Sequence, residues 1–106
     1  MTEKVQKRSG EVVTFDKAKI TQAIFKAAHA VGGSDITQAK MLTENVITVL
    51  NQKFENQIPT VEEVQDTIEK VLIETGHAST AKAFILYRAE RMRIRESAKT
   101  ADPAIV

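Results

Sequence analysis

Residues 5–20 read VQKRSGEVVTFDKAKI, and this stretch decides the fold because it joins two short strands to the first helix. Gly10 lies in the turn between the strands, where a tight hairpin requires a positive φ. The returning strand, residues 11–15, is rich in β-branched and aromatic side chains. Asp16 follows as the predicted N-cap of a helix. A lone hairpin is marginal in water, so we expect the later helices to cover one of its faces.

Three further segments carry apolar residues at helical spacing, namely Ile20–Val31, Ile36–Phe54 and Val64–Leu72. The Gly-Gly pair at 32–33 is a typical end for the first helix. Residues 60–63, Thr-Val-Glu-Glu, form a capping box at the start of the third helix. The pattern therefore predicts a hairpin followed by a set of amphipathic helices.

A fourth helix is predicted from Ser79 or Thr80 onward. Its first half, residues 81–86, is apolar on nearly every side, which predicts a position at the centre of the bundle. Beyond this point the helix becomes basic. The periodicity then fades, so we divide the chain into a domain over residues 1–97 and a disordered tail or linker over residues 98–106.

Length and composition indicate one compact domain. The 106 residues are 42% hydrophobic, which is enough to bury a core. The net charge of +1 gives no global field directed at nucleic acid or a membrane. The absence of cysteine excludes disulfides and thiolate metal sites. The sequence has neither a signal peptide nor an apolar run of the roughly 18 residues that a membrane span needs, so we expect a cytoplasmic protein.

Lys7 and Arg8 are the first candidates for binding an anion. Neighbours on a strand point to opposite faces, so one side chain can reach a phosphate while the other contacts a base or a carboxylate. A lone Lys-Arg pair is more often a solvated edge. Lys19 favours the binding interpretation, because free N–H groups and the helix dipole on the first helical turn already attract anions. We therefore expect Lys7 and Lys19 to converge on one pocket.

Arg88 and Arg91 are candidates on the fourth helix, where a spacing of three places them on one face. Their guanidinium groups suit phosphate oxygens. The alternative is that Glu90 and Glu96 pair with these arginines along an exposed helix end. Tyr87 precedes them and either lines a base pocket or directs its hydroxyl out of the core.

The sequence does not indicate a catalytic or metal site. His29 and His77 are isolated, with no second histidine or cysteine at ligand spacing. No Ser/His/Asp set, carboxylate pair or GxxxxGK[ST] loop is present. We therefore predict no catalytic residues, no metal ligands and a domain that binds rather than catalyses.

Three segments, VQKRSGEVVTFDKAKI, IPTVEEVQDTIEKVLIETGH and TAKAFILYRAERMRIRE, together resemble the ATP-cone. This is the allosteric nucleotide-binding module at the N-terminus of many ribonucleotide reductases. The resemblance covers roughly residues 5–96 and is strongest to the anaerobic and other bacterial or archaeal enzymes. It implies an α+β, mostly α fold, in which a small β-hairpin or three-stranded sheet caps a four-helix bundle and a nucleotide lies beneath the hairpin.

The resemblance also implies nucleotide-binding roles for nine residues. They are Val5, Lys7 and Arg8, which would contact base or phosphate from the hairpin; Asp16 and Lys19, for sugar and phosphate; Thr60, near the base; and Tyr87, Arg88 and Arg91, from the fourth helix. Val13 departs from the family pattern, since many members carry Glu there. That departure weakens the case for a second nucleotide or a bridging metal.

The ligand implied is ATP or dATP, with or without Mg²⁺, acting as an allosteric signal to a reductase. The implied partners are a catalytic reductase domain or further copies of the chain. One alternative is a small helical nucleic-acid-binding or transcription-regulatory domain that uses the basic residues 88–95, although the interleaved glutamates and low net charge count against it. The other is a helical module whose partner is a protein.

Lys19→Ala is expected to lose most of the binding of adenine nucleotides and to leave the fold intact, because the change removes a phosphate contact at an exposed helix end. Calorimetric titration with ATP measures the first effect, and circular dichroism measures the second. Binding equal to that of the parent would show that the triphosphate is wrongly placed.

Overall fold

The computed structural model describes residues 2–100, with side chains for residues 2–96. Over this range the chain forms two strands and four helices, which are β1 (Lys4–Gln6), β2 (Val12–Thr14), α1 (Lys17–Ala30), α2 (Ile36–Lys53), α3 (Val61–Glu74) and α4 (Ala78–Thr100). The predicted α+β, mostly α class is confirmed.

The hairpin is a two-stranded antiparallel sheet in which Val5 pairs with Val13. Gly10 has the predicted positive φ, 91°. The N–H of Lys7 donates to the carbonyl of Glu11 over 2.8 Å and closes the turn. Among the described residues, the third strand that the resemblance allowed is reduced to a parallel bridge between Gln6 and Thr60. This bridge ties the hairpin to the start of α3.

Side-chain caps fix the starts of α1 and α3 beside the hairpin. The Asp16 carboxylate accepts from the N–H of Ala18 over 3.0 Å, as predicted for the α1 cap. In the predicted capping box, the Thr60 hydroxyl accepts from the N–H of Glu63 over 3.1 Å, and the Glu63 carboxylate accepts from the N–H of Thr60 over 3.0 Å. The local signals in the sequence therefore place both helix starts correctly.

Each helix packs on its neighbours in chain order, and α4 closes the ring on α1. Short connections make consecutive helices antiparallel. The starts of α1 and α3 therefore lie at the hairpin end, together with the second half of α4. The buried apolar side chains include the predicted core residues Ile20, Ile24, Ala27, Ala39, Leu42, Val46, Leu50, Phe54, Val64, Ile68, Val71 and Leu72.

The prediction that the first half of α4 lies at the centre of the bundle is wrong. Ala81 and Phe84 are buried, but Ile85 is 41% exposed and Leu86 is 61% exposed. A ring of four helices has no central member, so α4 buries one face against α1 and α3 and leaves the other in solvent. The helix begins at Ala78 and runs to Thr100, which includes the first three residues of the predicted tail. The rest of that tail, 101–106, lies outside the described residues.

Leu50→Ala is expected to lower the free energy of unfolding by about 3 kcal/mol, because a fully buried side chain leaves a cavity. Met41→Ala is the matched control on the same helix, where the side chain is 66% exposed and its loss should change little. Urea denaturation of both variants measures the difference. Equal destabilisation would contradict the packing described for α2.

Candidate functional site

A cavity of about 540 Å³ lies between the hairpin, α1, the start of α3 and α4. This volume falls within the range of roughly 300–1,000 Å³ that small-molecule sites occupy. Eight of the nine residues predicted to bind a nucleotide line it, namely Val5, Lys7, Arg8, Asp16, Lys19, Tyr87, Arg88 and Arg91. Segments far apart in sequence are therefore brought to one site.

Thr60 is the predicted site residue that lies outside this lining. Its hydroxyl caps α3 and its backbone forms the bridge to Gln6, while its neighbours Val61 and Glu62 line the cavity. The structure thus gives Thr60 a part in building the wall of the cavity.

Positive charge is concentrated around the cavity. Within residues 2–96, seven of its lining residues are cationic and two carry carboxylates: Lys7, Arg8, Lys19, Lys26, Arg88, Arg91 and Arg95 against Asp16 and Glu62. The excess of five positive charges contrasts with a net charge of +1 for the whole chain. The low net charge therefore conceals a strongly cationic site with a compensating negative surface elsewhere.

Lys26 and Arg95 are cavity residues that the sequence analysis missed. Lys26 lies seven residues after Lys19, and Arg95 lies seven after Arg88. Seven residues make about two helical turns and a rise of about 10 Å, so each pair shares a face. That spacing was readable in the sequence and could have identified both residues. The cations consequently form two strips along α1 and α4.

Of the Lys7-Arg8 pair, Arg8 contacts a carboxylate, that of Glu62, which agrees with the prediction for one of the two side chains. β1 ends at Gln6, so both residues belong to the turn, where strand alternation does not hold. Both residues line the cavity. The hairpin tip therefore presents two adjacent cations to the same space.

Five of the seven cations have side chains that are not paired within the part of the chain that the structure describes. Lys7, Lys19, Lys26, Arg91 and Arg95 make no ion pair or side-chain hydrogen bond there. Their N–H donors are available to a polyanion. Glu90 instead pairs with Arg93 over 2.7 Å, so the alternative in which Glu90 neutralises Arg88 or Arg91 does not hold.

Arg88 differs, because carboxylates of α3 surround it. Its partly buried position follows from helical spacing, since Arg88 continues the stripe of α4 that contains the buried residues Ala81 and Phe84. The guanidinium donates to Glu62 over 2.7 Å, to Asp66 over 2.8 Å and to Glu69 over 2.8 Å. These three acids recur at steps of four and three, which is one face of α3. Arg88 thus fastens α4 to α3 at the cavity wall.

Glu62 links this cluster to the hairpin. Its Oε1 accepts from Arg8 Nε over 2.7 Å, and its Oε2 accepts from Arg88 Nη2 over 2.7 Å. The hydrogen bond from Arg8, followed by the bond from Arg88, lowers the pKa of Glu62 below its ordinary value of 4.5. Burial opposes the charge on Arg88, but its bonds to Glu62, Asp66 and Glu69 raise its pKa overall. Both groups are therefore ionised at neutral pH.

The uncharged part of the cavity lining is largely apolar, with Thr14, Gln22 and Gln65 as its polar side chains besides Tyr87. Val5, Val13 and Phe15 come from the hairpin segment, and Ile20 and Phe84 come from the bundle core. Tyr87, which is 42% exposed, adds an aromatic ring at the rim. An apolar wall beside free cationic donors suits a ligand with a flat, poorly charged group and a polyanionic chain.

A metal-binding cluster and a membrane-spanning helix are both absent from the described residues. No group of three or more histidine, aspartate or glutamate side chains is arranged to hold a metal ion. None of the helices over residues 2–100 combines the length and apolar character required to cross a membrane. The cavity beneath the hairpin is the candidate site because eight of the nine predicted residues line it.

Residues 3–93 match the family described as the ATP cone domain. The chain belongs to this family. The resemblance seen in the sequence is thereby confirmed, and the ATP cone accounts for both the hairpin and the helices that enclose the cavity.

Relatives of this ATP cone include several reductases. The vitamin B12-dependent ribonucleoside-diphosphate reductase of Thermoplasma acidophilum is 43% identical over 101 residues, which cover 91% of this chain and 13% of that protein. The anaerobic ribonucleoside-triphosphate reductase of Salmonella typhimurium is 33% identical, over 91% of this chain and 13% of its own length. The ribonucleoside-diphosphate reductase subunit alpha of Chlamydia trachomatis is 32% identical, over 88% and 10%. The chain thus spans about a tenth of the curated relatives that it matches.

Arg88→Gln is expected to lower the free energy of unfolding by about 2 kcal/mol, because charge-assisted hydrogen bonds are lost and three carboxylates are left close together. Arg93→Gln is the control, since it removes an exposed ion pair on the same helix. Thermal denaturation compares the two. An Arg88 variant as stable as the Arg93 variant would contradict a structural role for the cluster.

Proposed function

We propose that this chain is a non-catalytic regulatory domain that binds ATP or dATP in the cavity beneath its hairpin and controls the activity and oligomeric state of a ribonucleotide reductase in the cytoplasm. The observation that carries the proposal is the convergence of seven cationic side chains on a cavity of about 540 Å³ in a chain of the ATP cone domain family. Membership of that family supports a nucleotide-binding, regulatory role.

The triphosphate would occupy the cationic part of the cavity. Lys19 lies on the first turn of α1, where the helix dipole adds to its charge. Lys26 and Arg95 add to the predicted residues two further cationic donors that are unpaired within residues 2–96. Charge-assisted bonds of this kind are among the strongest available to a protein, which favours a polyphosphate over a singly charged ligand.

The base and sugar would contact the less charged wall. Val5 and Tyr87 offer an apolar and an aromatic surface, while Asp16 offers a carboxylate for the sugar hydroxyls. Only one oxygen of Asp16, Oδ1, is used in capping α1. Mg²⁺, where present, would enter with the phosphate oxygens, as this ion usually does in phosphate sites.

Regulation would follow from a difference in affinity between conformations. ATP and dATP differ by one hydroxyl, so the two can have opposite effects only if the bound pose differs. Because the relatives are named as reductases, the regulated protein would be a reductase. The partner would be a catalytic reductase domain or a second copy of this chain. The coupling between nucleotide and partner is reciprocal, so a partner would also change nucleotide affinity.

Calorimetric titration with ATP, dATP and GTP tests the proposal. We expect ATP and dATP to bind and GTP to bind more weakly by roughly tenfold, about 1.4 kcal/mol. We expect Lys26→Ala to weaken ATP binding by a similar factor, because it removes a cationic donor from the cavity.

Lys17→Ala is the matched control for the lysine variant. Lys17 lies on the same helix, pairs with Glu44 and is not part of the cavity lining, so its loss should leave ATP affinity unchanged. An equal effect of the two substitutions would point to general charge attraction. Binding of random-sequence DNA in place of ATP would favour the nucleic-acid alternative.

A further inference from the structure

We propose that Glu62 is a positioning residue that holds the hairpin turn through Arg8, and that the phosphates of a bound nucleotide compete with Glu62 for that arginine. The proposal rests on the function proposed above and extends it to a residue outside the predicted set. Arg8, Glu62 and Arg88 together are named the Glu62 bridge.

The Glu62 bridge joins three separate elements through one carboxylate. Arg8 is in the hairpin turn, Glu62 is on the first turn of α3 and Arg88 is on α4. Each carboxylate oxygen receives one arginine, at 2.7 Å in both cases. Glu62 therefore has no oxygen without a cationic partner, and the two arginines are held near each other by the charge between them.

The two halves of the bridge are unequal. Arg88 is 19% exposed and is also bound by Asp66 and Glu69. Arg8 is 38% exposed, and among the described residues Glu62 is the carboxylate that it contacts. Its other partner is the sulfur of Met92, a weak acceptor. Loss of the Arg8 bond leaves both Glu62 and Arg88 paired, so Arg8 is the arginine that can change partner.

The hairpin turn has few other attachments to the bundle. The backbone bond from Gln6 to the Pro59 carbonyl lies before the turn, and the bonds of Lys7 and Gly10 stay within it. In the part of the chain that the structure describes, Arg8 is therefore the residue of the turn 7–11 whose hydrogen bonds reach a helix. Glu62 consequently decides where the tip of the hairpin lies.

A polyphosphate in the cavity would contact the same arginine. Lys7 and Arg8 are adjacent and both line the cavity, and the side chain of Lys7 is unpaired within residues 2–96. Exposed ion pairs contribute little to stability, so a multiply charged phosphate chain can replace the carboxylate at Arg8. The negative charge of Glu62 thus opposes phosphate binding in two ways, by occupying Arg8 and by repulsion.

Two variants separate this role from a purely structural one. Glu62→Gln and Arg8→Gln both remove the charged contact that holds the turn against α3. A turn without this contact should open more often, and the N–H groups of Lys7 and Gly10 are bonded within the turn. Amide hydrogen exchange at these two residues, measured without nucleotide, should therefore quicken several-fold in both variants. Their effects on ATP affinity should be opposite. Glu62→Gln should bind ATP about fivefold more tightly, because Arg8 is released and a repulsive charge is lost, whereas Arg8→Gln should bind about tenfold more weakly.

Asp66→Asn is the matched control. Asp66 binds Arg88 but not Arg8, and its side chain is 65% exposed, so this variant should change neither turn exchange nor ATP affinity. Parent-like hydrogen exchange in Glu62→Gln would overturn the positioning role. A loss of ATP affinity in both Glu62→Gln and Arg8→Gln would overturn the competition.

The same measurements distinguish failure of the proposed function. If the parent does not bind ATP, the function proposed above is wrong, and so is the proposed competition between phosphate and Glu62 for Arg8. Faster exchange in Glu62→Gln and Arg8→Gln, against an unchanged Asp66→Asn, would still support the positioning role, because that readout needs no nucleotide.

Discussion

The charge cluster around Arg88 is the interaction on which the site depends. The buried stripe of α4 places a guanidinium where the core ends, and a partly buried cation must be paired. One face of α3 supplies the carboxylates, so the two helices are fixed against each other beside the hairpin. The space between α4 and α1 can then be lined by arginines and lysines that have no ionic partner within residues 2–96. The single helix α4 thus contributes both side chains of the core and cationic residues of the cavity lining.

Separation of charge explains how a nearly neutral chain can bind a polyanion. The cavity holds an excess of five positive charges, while the whole chain carries +1. Local concentration of charge raises the potential inside a concave site, whereas the remaining surface is net negative and weakens attraction to long polyanions. This distribution favours a small phosphate ligand over nucleic acid. It also limits the self-repulsion that a uniformly basic domain would suffer.

Local signals in the sequence predicted most of the fold. Asp16, the Thr60–Glu63 capping box and Gly10 act within a few residues of chain, so their roles could be read directly. Eight of the nine predicted site residues line one cavity, and the resemblance to the family was the source of that prediction. The carboxylate partners of Arg88 and the exposure of Leu86 depend on which helices become neighbours. Helical periodicity defines a face but does not identify the element that covers it.

The bridge between Gln6 and Thr60 has a mechanical consequence. Pro59 is fully buried, and its carbonyl receives the N–H of Gln6, so the base of the hairpin is anchored in the backbone at the start of α3. The tip is held by side-chain contacts alone among the described residues. With this attachment the hairpin can pivot about Gln6, while its base stays bound to the start of α3. A ligand beneath the hairpin would thus change the tilt of the hairpin. That change would alter the contacts that the hairpin makes with the first turn of α3.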